Sequence, residues 1–181
     1  MTVMTSTPTH VPVLLNESID LLAIRPGGTY IDCTTGLGGH SAAIAERMGD
    51  EGRLLCLDQD GEALEFARTR LAPLGRRIHF VRENFRDLAA VAQAEGFTDA
   101  DGILMDLGVS SLQFGEAERG FMFGQEGPLD MRMDRRSELT AATIVNEWPE
   151  EEIADLIYRY GEERQSRRIA AAILRARPLG T

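Results

Sequence analysis

Apolar residues recur in the first hundred positions as short bursts separated by glycines and polar turns. Val13 to Ile24 has Leu15, Ile19 and Leu22 at helical spacing, with Leu14, Leu21 and Ile24 beside them. Pro26-Gly27-Gly28 stops that helix. Thr29 to Cys33 is short, β-branched and aromatic, which predicts a buried strand. A glycine-rich turn, Thr34 to Gly39, leads into a helix over Ser41 to Met48, with Ser41 or His40 near its start. The unit then repeats. Strands are predicted at Arg53 to Leu57, Arg77 to Val81 and Gly102 to Leu107, with helices at Gly61 to Leu71 and around Phe85 to Glu95 between them. The order β-α-β-α-β-α-β predicts an α/β fold, a parallel sheet of about four strands covered by helices on both faces.

The alternation breaks after Gly108. Residues 109 to 139 hold no convincing strand and are rich in Gly, Met, Arg and Asp. Two helices are predicted beyond them. Pro149 suits the first turn of one, whose Ile153, Leu156, Ile157 and Tyr160 share a face. The other runs from about Glu162 to Ala176, with Ile169, Ile173 and Leu174 apolar, and ends at Arg177-Pro178.

Composition narrows the chemistry. All 19 basic residues are arginine, so a P-loop lysine and a Schiff-base lysine are both ruled out. The two cysteines and three histidines do not form a zinc framework or a disulfide scaffold. No apolar run approaches the roughly 20 residues of a membrane span, and no secretory signal is visible, so the chain reads as cytosolic and reduced. The net charge of -10 opposes bulk electrostatic binding of nucleic acid. Local basic surfaces remain. From Arg159 onward there are six arginines against two glutamates, and Arg132 to Arg136 holds three arginines and one aspartate.

The strand ends carry the candidate chemistry. The first strand runs into Asp32-Cys-Thr-Thr-Gly36-Leu-Gly38-Gly39-His40. Its glycines let the chain turn sharply and let a ligand approach the backbone, at the carboxyl end of the strand where open α/β sheets bind ligands. Asp58 ends the second strand, 22 residues after Gly36, where a carboxylate can accept from both ribose hydroxyls. Together these predict a site for a nucleoside cofactor. The dinucleotide fingerprint requires a glycine where Ser41 stands, which favours S-adenosylmethionine over a nicotinamide cofactor. Asp32 can sit near the cationic amino-acid moiety of such a donor. Phe85, after the third strand, can cover an adenine face or simply join the core. Asp106, ending the fourth, can face a target atom or cap the next helix.

These motifs occur in an order that resembles the ribosomal RNA small-subunit methyltransferase H family. The matching text is His10-Val-Pro12-Val-Leu-Leu-Asn-Glu17, the loop Asp32 to His40, and Asp106-Leu-Gly-Val-Ser-Ser111. It continues with Arg119-Gly-Phe121, Gly127-Pro-Leu-Asp-Met-Arg-Met-Asp134, and Tyr160-Gly-Glu-Glu-Arg-Gln-Ser-Arg-Arg-Ile169. The resemblance implies a Rossmann-like class I methyltransferase that uses S-adenosylmethionine to methylate a cytosine N4 in 16S rRNA of the small ribosomal subunit. It implies that Gly38, Gly39 and His40 line the methionine and ribose region, that Asp58 holds the ribose, and that Phe85 contacts the adenine. Asp106 and Gln113 would complete the pocket, Gln113 on the strength of the resemblance alone.

The resemblance also divides the chain. Residues 1–113 correspond to the front of the cofactor-binding domain. Residues 114–181 correspond to the start of an inserted helical domain thought to help bind RNA. Family members are considerably longer and return to the sheet after that insert. This predicts an incomplete sheet with an exposed fourth strand, and leaves a non-catalytic cofactor- or RNA-binding fragment as the alternative to an enzyme. Amino methyltransferases commonly carry an Asp/Asn-Pro-Pro-aromatic motif where this chain has Asp106-Leu-Gly-Val, so the sequence names no general base.

Overall fold

The computed structural model describes residues 12–75 and 77–181. The chain forms two compact units, one ending at Ser111 and the other spanning Leu112–Thr181. His10 and Val11 of the first matching motif lie outside the described residues.

The first unit is a Rossmann-like α/β unit. Its elements are α1 (Leu15–Leu21), β1 (Thr29–Asp32), α2 (Gly39–Met48), β2 (Arg53–Leu57), α3 (Gly61–Leu71), β3 (Ile78–Val81), α4 (Leu88–Glu95) and β4 (Gly102–Leu104). The strands form one parallel sheet in the order β3-β2-β1-β4. Successive strand side chains point to opposite faces, so the central strands β1 and β2 supply two cores. Tyr30, Leu54, Cys56 and Ile78 pack with Ile44, Ala45 and Met48 of α2, Ala67 and Leu71 of α3, and Ile19 of α1. Ile31, Cys33, Leu55 and Leu57 pack on the other face with Val91 and Ala92 of α4 and with Phe97. Both cysteines are buried free thiols, and burial raises Cys33 to about 11 and Cys56 to about 12. Such thiols stay protonated and inert at neutral pH.

Two elements are shorter than the sequence predicts. The first helix covers Leu15–Leu21 rather than Val13 to Ile24, because Leu14 and Ala23 take left-handed backbone conformations at its two ends (φ 51° and 48°). The fourth strand covers Gly102–Leu104 rather than running to Leu107. Its pairing with β1 ends at Asp32 and Leu104, and the Asp106 amide then donates to the Thr34 hydroxyl instead of a strand carbonyl. Ile103, Met105 and Leu107 are 47%, 46% and 70% exposed, which marks β4 as an open edge of the sheet.

The second unit is helical: α5 (Ser111–Gly115, begun on the last residue of the first unit), α6 (Ala141–Glu147), α7 (Glu150–Gly161) and α8 (Ser166–Ala176). Its core gathers Ile153, Ala154 and Ala170, with Ile144, Trp148, Ile157, Ile173 and Leu174 packed against them. The sequence pattern missed α6. Its signals are Thr140, whose hydroxyl caps the helix by accepting from the Thr143 amide at 3.1 Å, and the i,i+4 pair Ile144 and Trp148. Pro149 caps α7 from outside rather than opening its first turn. Tyr160, expected on the apolar face, is 85% exposed, and the alanines 154 and 170 hold the buried positions instead. Among the described residues no helix is long and apolar enough to cross a membrane, and no three metal-ligating side chains converge.

Candidate functional site

The site grows from the carboxyl ends of the parallel strands. Asp32 closes β1 and is fully buried. One oxygen accepts from the Thr34 amide at 3.1 Å, and the other from the Ser41 hydroxyl at 2.6 Å. Burial pushes its carboxyl up to about 6, against the opposing pull of those two hydrogen bonds. Asp32 therefore faces inward and ties the β1 loop to α2. Ser41, expected near the helix start, lies inside the first turn of α2 and contributes through this bond rather than as a cap.

Between them the chain needs its glycines. Gly38 has φ 77°, and a Cβ on it would lie 3.2 Å from that of Ala67, so a side chain there would be strained and would crowd α3. A Cβ on Gly39 would come within 2.2 Å of the Pro12 ring. The requirement for glycine at position 39 thus has a packing cause visible inside the protein.

Asp58, at the end of β2, joins two loops. Its Oδ2 accepts from the Gly36 amide at 2.7 Å, and its Oδ1 accepts from the Asp60 amide at 2.9 Å. Desolvation raises its pKa, and backbone hydrogen bonds from Asp60, Gly36 and Gln59 oppose that rise. A carboxylate can accept about four hydrogen bonds, so the group keeps acceptor capacity beyond these amides. Asp60 caps α3 by accepting from the Glu62 amide at 3.0 Å, which fixes the loop that carries Asp58.

The loops after β4 and β3 are tied in by side chains. Thr34 accepts from the Asp106 amide at 2.7 Å. The Asp106 carboxyl is half-exposed and lies 3.8 Å from Nδ1 of His40. His40 is buried, and its Nε2 has no hydrogen-bond partner among the described residues. Asp106 lies well before the start of α5 at Ser111, so it does not cap that helix. After β3, Asn84 donates to Oε1 of Gln59 at 2.8 Å and accepts from the Arg86 amide at 2.9 Å. Phe85 follows Asn84, belongs to neither sheet core, and is 37% exposed.

The first unit thus links Gly36, Thr34 and His40 to Asp58 and Asp106, with Phe85 held by the neighbouring Asn84–Gln59 pair. Gln113 is buried and belongs to the second unit. Sequence reasoning overlooked Thr34, Gln59 and Asn84. The signal was available: small or amide side chains directly after strand ends, where backbone groups lose their sheet partners.

The arginines of the second unit divide. Arg119 is fully buried and donates to the carbonyls of Arg132 and Met133 at 3.1 and 3.3 Å. Arg132 grips Asp130 through two contacts of 2.8 Å, which holds the Asp130 carboxyl down at about 2. Arg177 donates to the carbonyls of Val145 and Trp148, both at 2.6 Å. These cations brace loops. Arg164, Arg167, Arg168 and Arg175 are exposed.

Residues 7–180 match the family described as the MraW methylase family. A protein of Symbiobacterium thermophilum, "Ribosomal RNA small subunit methyltransferase H", is 60% identical over 168 residues, covering 93% of this chain and 53% of that protein. Proteins of the same description from Desulfotalea psychrophila and Brevibacillus brevis are 49% and 51% identical, covering 94% and 93% of this chain and 58% and 54% of their own lengths. The chain spans about half the length of the curated relatives it matches.

Proposed function

The chain belongs to the MraW methylase family, and from that premise we propose that it takes part in methyl transfer from S-adenosylmethionine to a cytosine N4 amino group in 16S rRNA of the small ribosomal subunit. The carrying observation is the 60% identity to a relative described as a ribosomal RNA small subunit methyltransferase, joined to the Asp58–Gly36 bridge at the mouth of the sheet.

The chain's own groups fit the donor. Asp58 is oriented by the Gly36, Asp60 and Gln59 amides and retains acceptor capacity for a ribose hydroxyl. His40 offers a buried ring nitrogen that has no partner among the described residues. Phe85 presents ring surface suited to an adenine face. Gly38 and Gly39 keep the loop free of side chains, and Gln113 joins the set on the family resemblance. When bound, S-adenosylmethionine supplies a sulfonium methyl open to in-line attack.

The cytosine amine is a poor nucleophile because its lone pair is delocalised into the ring. Asp106, half-exposed beside His40, can accept from the amino group, orienting it and raising its electron density. The carbonyls of residues 107–109 can share that task. The target base must be unstacked to reach them. No residue is assigned as general base.

Calorimetry with S-adenosylmethionine tests the cofactor site. We expect binding that Asp58→Ala weakens about a hundredfold, as loss of charge-assisted hydrogen bonds worth about 1.5–3 kcal/mol each predicts. Absence of binding heat in the unmodified chain would sink the reading. Recovery of N4-methylcytidine from treated small subunits tests the acceptor. A second reading, a module that binds without turnover, is favoured by the open β4 edge with its exposed Ile103, Met105 and Leu107. Methylation by this chain at a rate near that of a full-length relative would refute it.

A further inference from the structure

Two threonines follow β1 side by side, and the fold gives them different neighbours. Thr35 is buried, its hydroxyl donates to the Asp32 carbonyl at 3.3 Å, and its amide donates to the Leu57 carbonyl of β2 at 3.1 Å. It ties the loop inward. Thr34 is half-buried and serves β4 instead. Its amide donates to the Asp32 carboxyl at 3.1 Å, and its hydroxyl accepts from the Asp106 amide at 2.7 Å.

The strand register accounts for that second bond. β1 and β4 pair as far as Asp32 and Leu104, and the Cys33 amide closes the ladder by donating to the Leu104 carbonyl at 2.9 Å. Extended by two residues, the same register sets Thr34 opposite Asp106. The Thr34 backbone has by then turned toward Asp32. Its β-branched side chain, with few rotamers open to it, stands in for the missing strand carbonyl. Asp106 depends on such a tie. Its chain neighbours Met105 and Leu107 are 46% and 70% exposed, so packing does not hold them, and Gly108 has open space about it. Yet the Asp106 carboxyl is brought to 3.8 Å from Nδ1 of buried His40. Fixing the amide limits where the carboxyl on the adjoining Cα can go.

We propose that Thr34 is a positioning residue for methyl transfer: its hydroxyl fixes the turn after β4 and so holds the Asp106 carboxylate beside His40, aimed at the acceptor amine. The inference rests on the methyl-transfer reading above and deepens it. In that transfer the amine's lone pair forms the N4–carbon bond, the sulfonium–carbon electrons leave with sulfur, and the proton lost from N4 goes to water. Thr34 touches neither reactant in this role. Misplacing an orienting group by about 1 Å costs about a hundredfold in rate. Loss of the Thr34 hydroxyl therefore slows transfer between bound reactants and leaves donor affinity, which Asp58 carries, nearly intact.

The test compares Thr34→Val, which keeps the shape and removes the hydroxyl, with Thr34→Ser, which restores it. Histidine labelled with carbon-13 in the full chain gives ring resonances for His10, His40 and His79, and a His40→Gln variant identifies that of His40. Thr34→Val is expected to move the His40 resonance in the direction that Asp106→Asn moves it, and Thr34→Ser to leave it in place. Single-turnover transfer of a labelled methyl group to small ribosomal subunits should slow about a hundredfold in Thr34→Val and less than about fivefold in Thr34→Ser, with donor affinity by calorimetry within about threefold in both. Thr35→Val removes the inward hydroxyl of the same loop and should leave the His40 resonance where it was. If Thr35→Val moves that resonance as far as Thr34→Val does, the loop has merely loosened and the positioning role is overturned. The role is also overturned, with the methyl-transfer reading intact, if Thr34→Val leaves either the resonance or the rate unchanged, or loses donor affinity in proportion to rate. If the unmodified chain binds the donor and transfers no methyl group, the methyl-transfer reading falls and the positioning role with it.

Discussion

The most deeply buried charged braces of the two units differ in sign, Asp32 and Asp60 in the first and Arg119 in the second, while both units use acids and arginines alike at more exposed loops. In the first, buried Asp32 accepts from Thr34 and buried Asp60 from Glu62, and half-buried Asp58 accepts from Gly36 and Asp60. In the second, guanidiniums donate to backbone carbonyls: Arg119 to Arg132 and Met133, Arg177 to Val145 and Trp148. Parallel strands end in loops whose amides have lost their sheet partners, so acceptors are needed there. The long irregular segment of the second unit leaves carbonyls without partners, and five-donor arginine serves them. The contrast has a consequence for pH. Carboxylates titrate when buried and guanidiniums do not.

The largest expected effect is on Arg119. Arg119→Ala leaves a cavity at a fully buried position and strips two half-buried carbonyls of their donor, at a cost of about 3 kcal/mol. Hydrogen exchange should speed in residues 117–137 and stay unchanged in the sheet. Equal loosening of both units would break the division drawn here.

Next is Asp32. Its folded pKa of about 6 exceeds the ordinary 3.8, so between those values the folded chain holds a proton that the unfolded chain has released. Stability therefore falls as pH rises through that window, by roughly 3 kcal/mol in all at about 1.36 kcal/mol per unit. Urea midpoints of Asp32→Asn should lack this component. Asp130, held near 2, contributes the opposite way, with stability lost only as pH drops below 3.8 toward 2. A wild-type profile with no difference from Asp32→Asn between pH 4 and 6 would contradict the buried carboxylate.

The hundredfold loss of S-adenosylmethionine affinity expected for Asp58→Ala comes third. Asp58→Asn should lose less, because its amide oxygen can still accept from Gly36. The smallest effect belongs to Tyr160→Ser on a side chain that is 85% exposed, with a change in thermal unfolding worth about 0.5 kcal/mol or less. A large loss there would place Tyr160 against a surface that the second unit does not contain.

Much of the first unit was legible in the sequence. Strand and helix alternation, the glycine loop and the acid at the end of β2 follow from periodicity and spacing, which are local properties of the chain. The predicted bounds of β2 and α3 match the observed Arg53–Leu57 and Gly61–Leu71. The second unit was less legible. Its α6 was missed because it has only seven residues, too few to display a helical repeat. Its arginines read alike in the sequence, since composition does not distinguish a brace from a surface cation.

By itself, then, the sequence determined the fold class, the order of the loops and the family, because hydrophobic period and ordered motifs are written along the chain. Only the tertiary structure decided which polar groups face inward. It turned Asp32 toward Ser41, set Pro12 against Gly39, joined Asp106 to Thr34, and buried Arg119 while leaving Arg167 in water. The reason is that a polar side chain's role depends on which backbone groups lack partners nearby, and those neighbours are assembled from segments far apart in sequence.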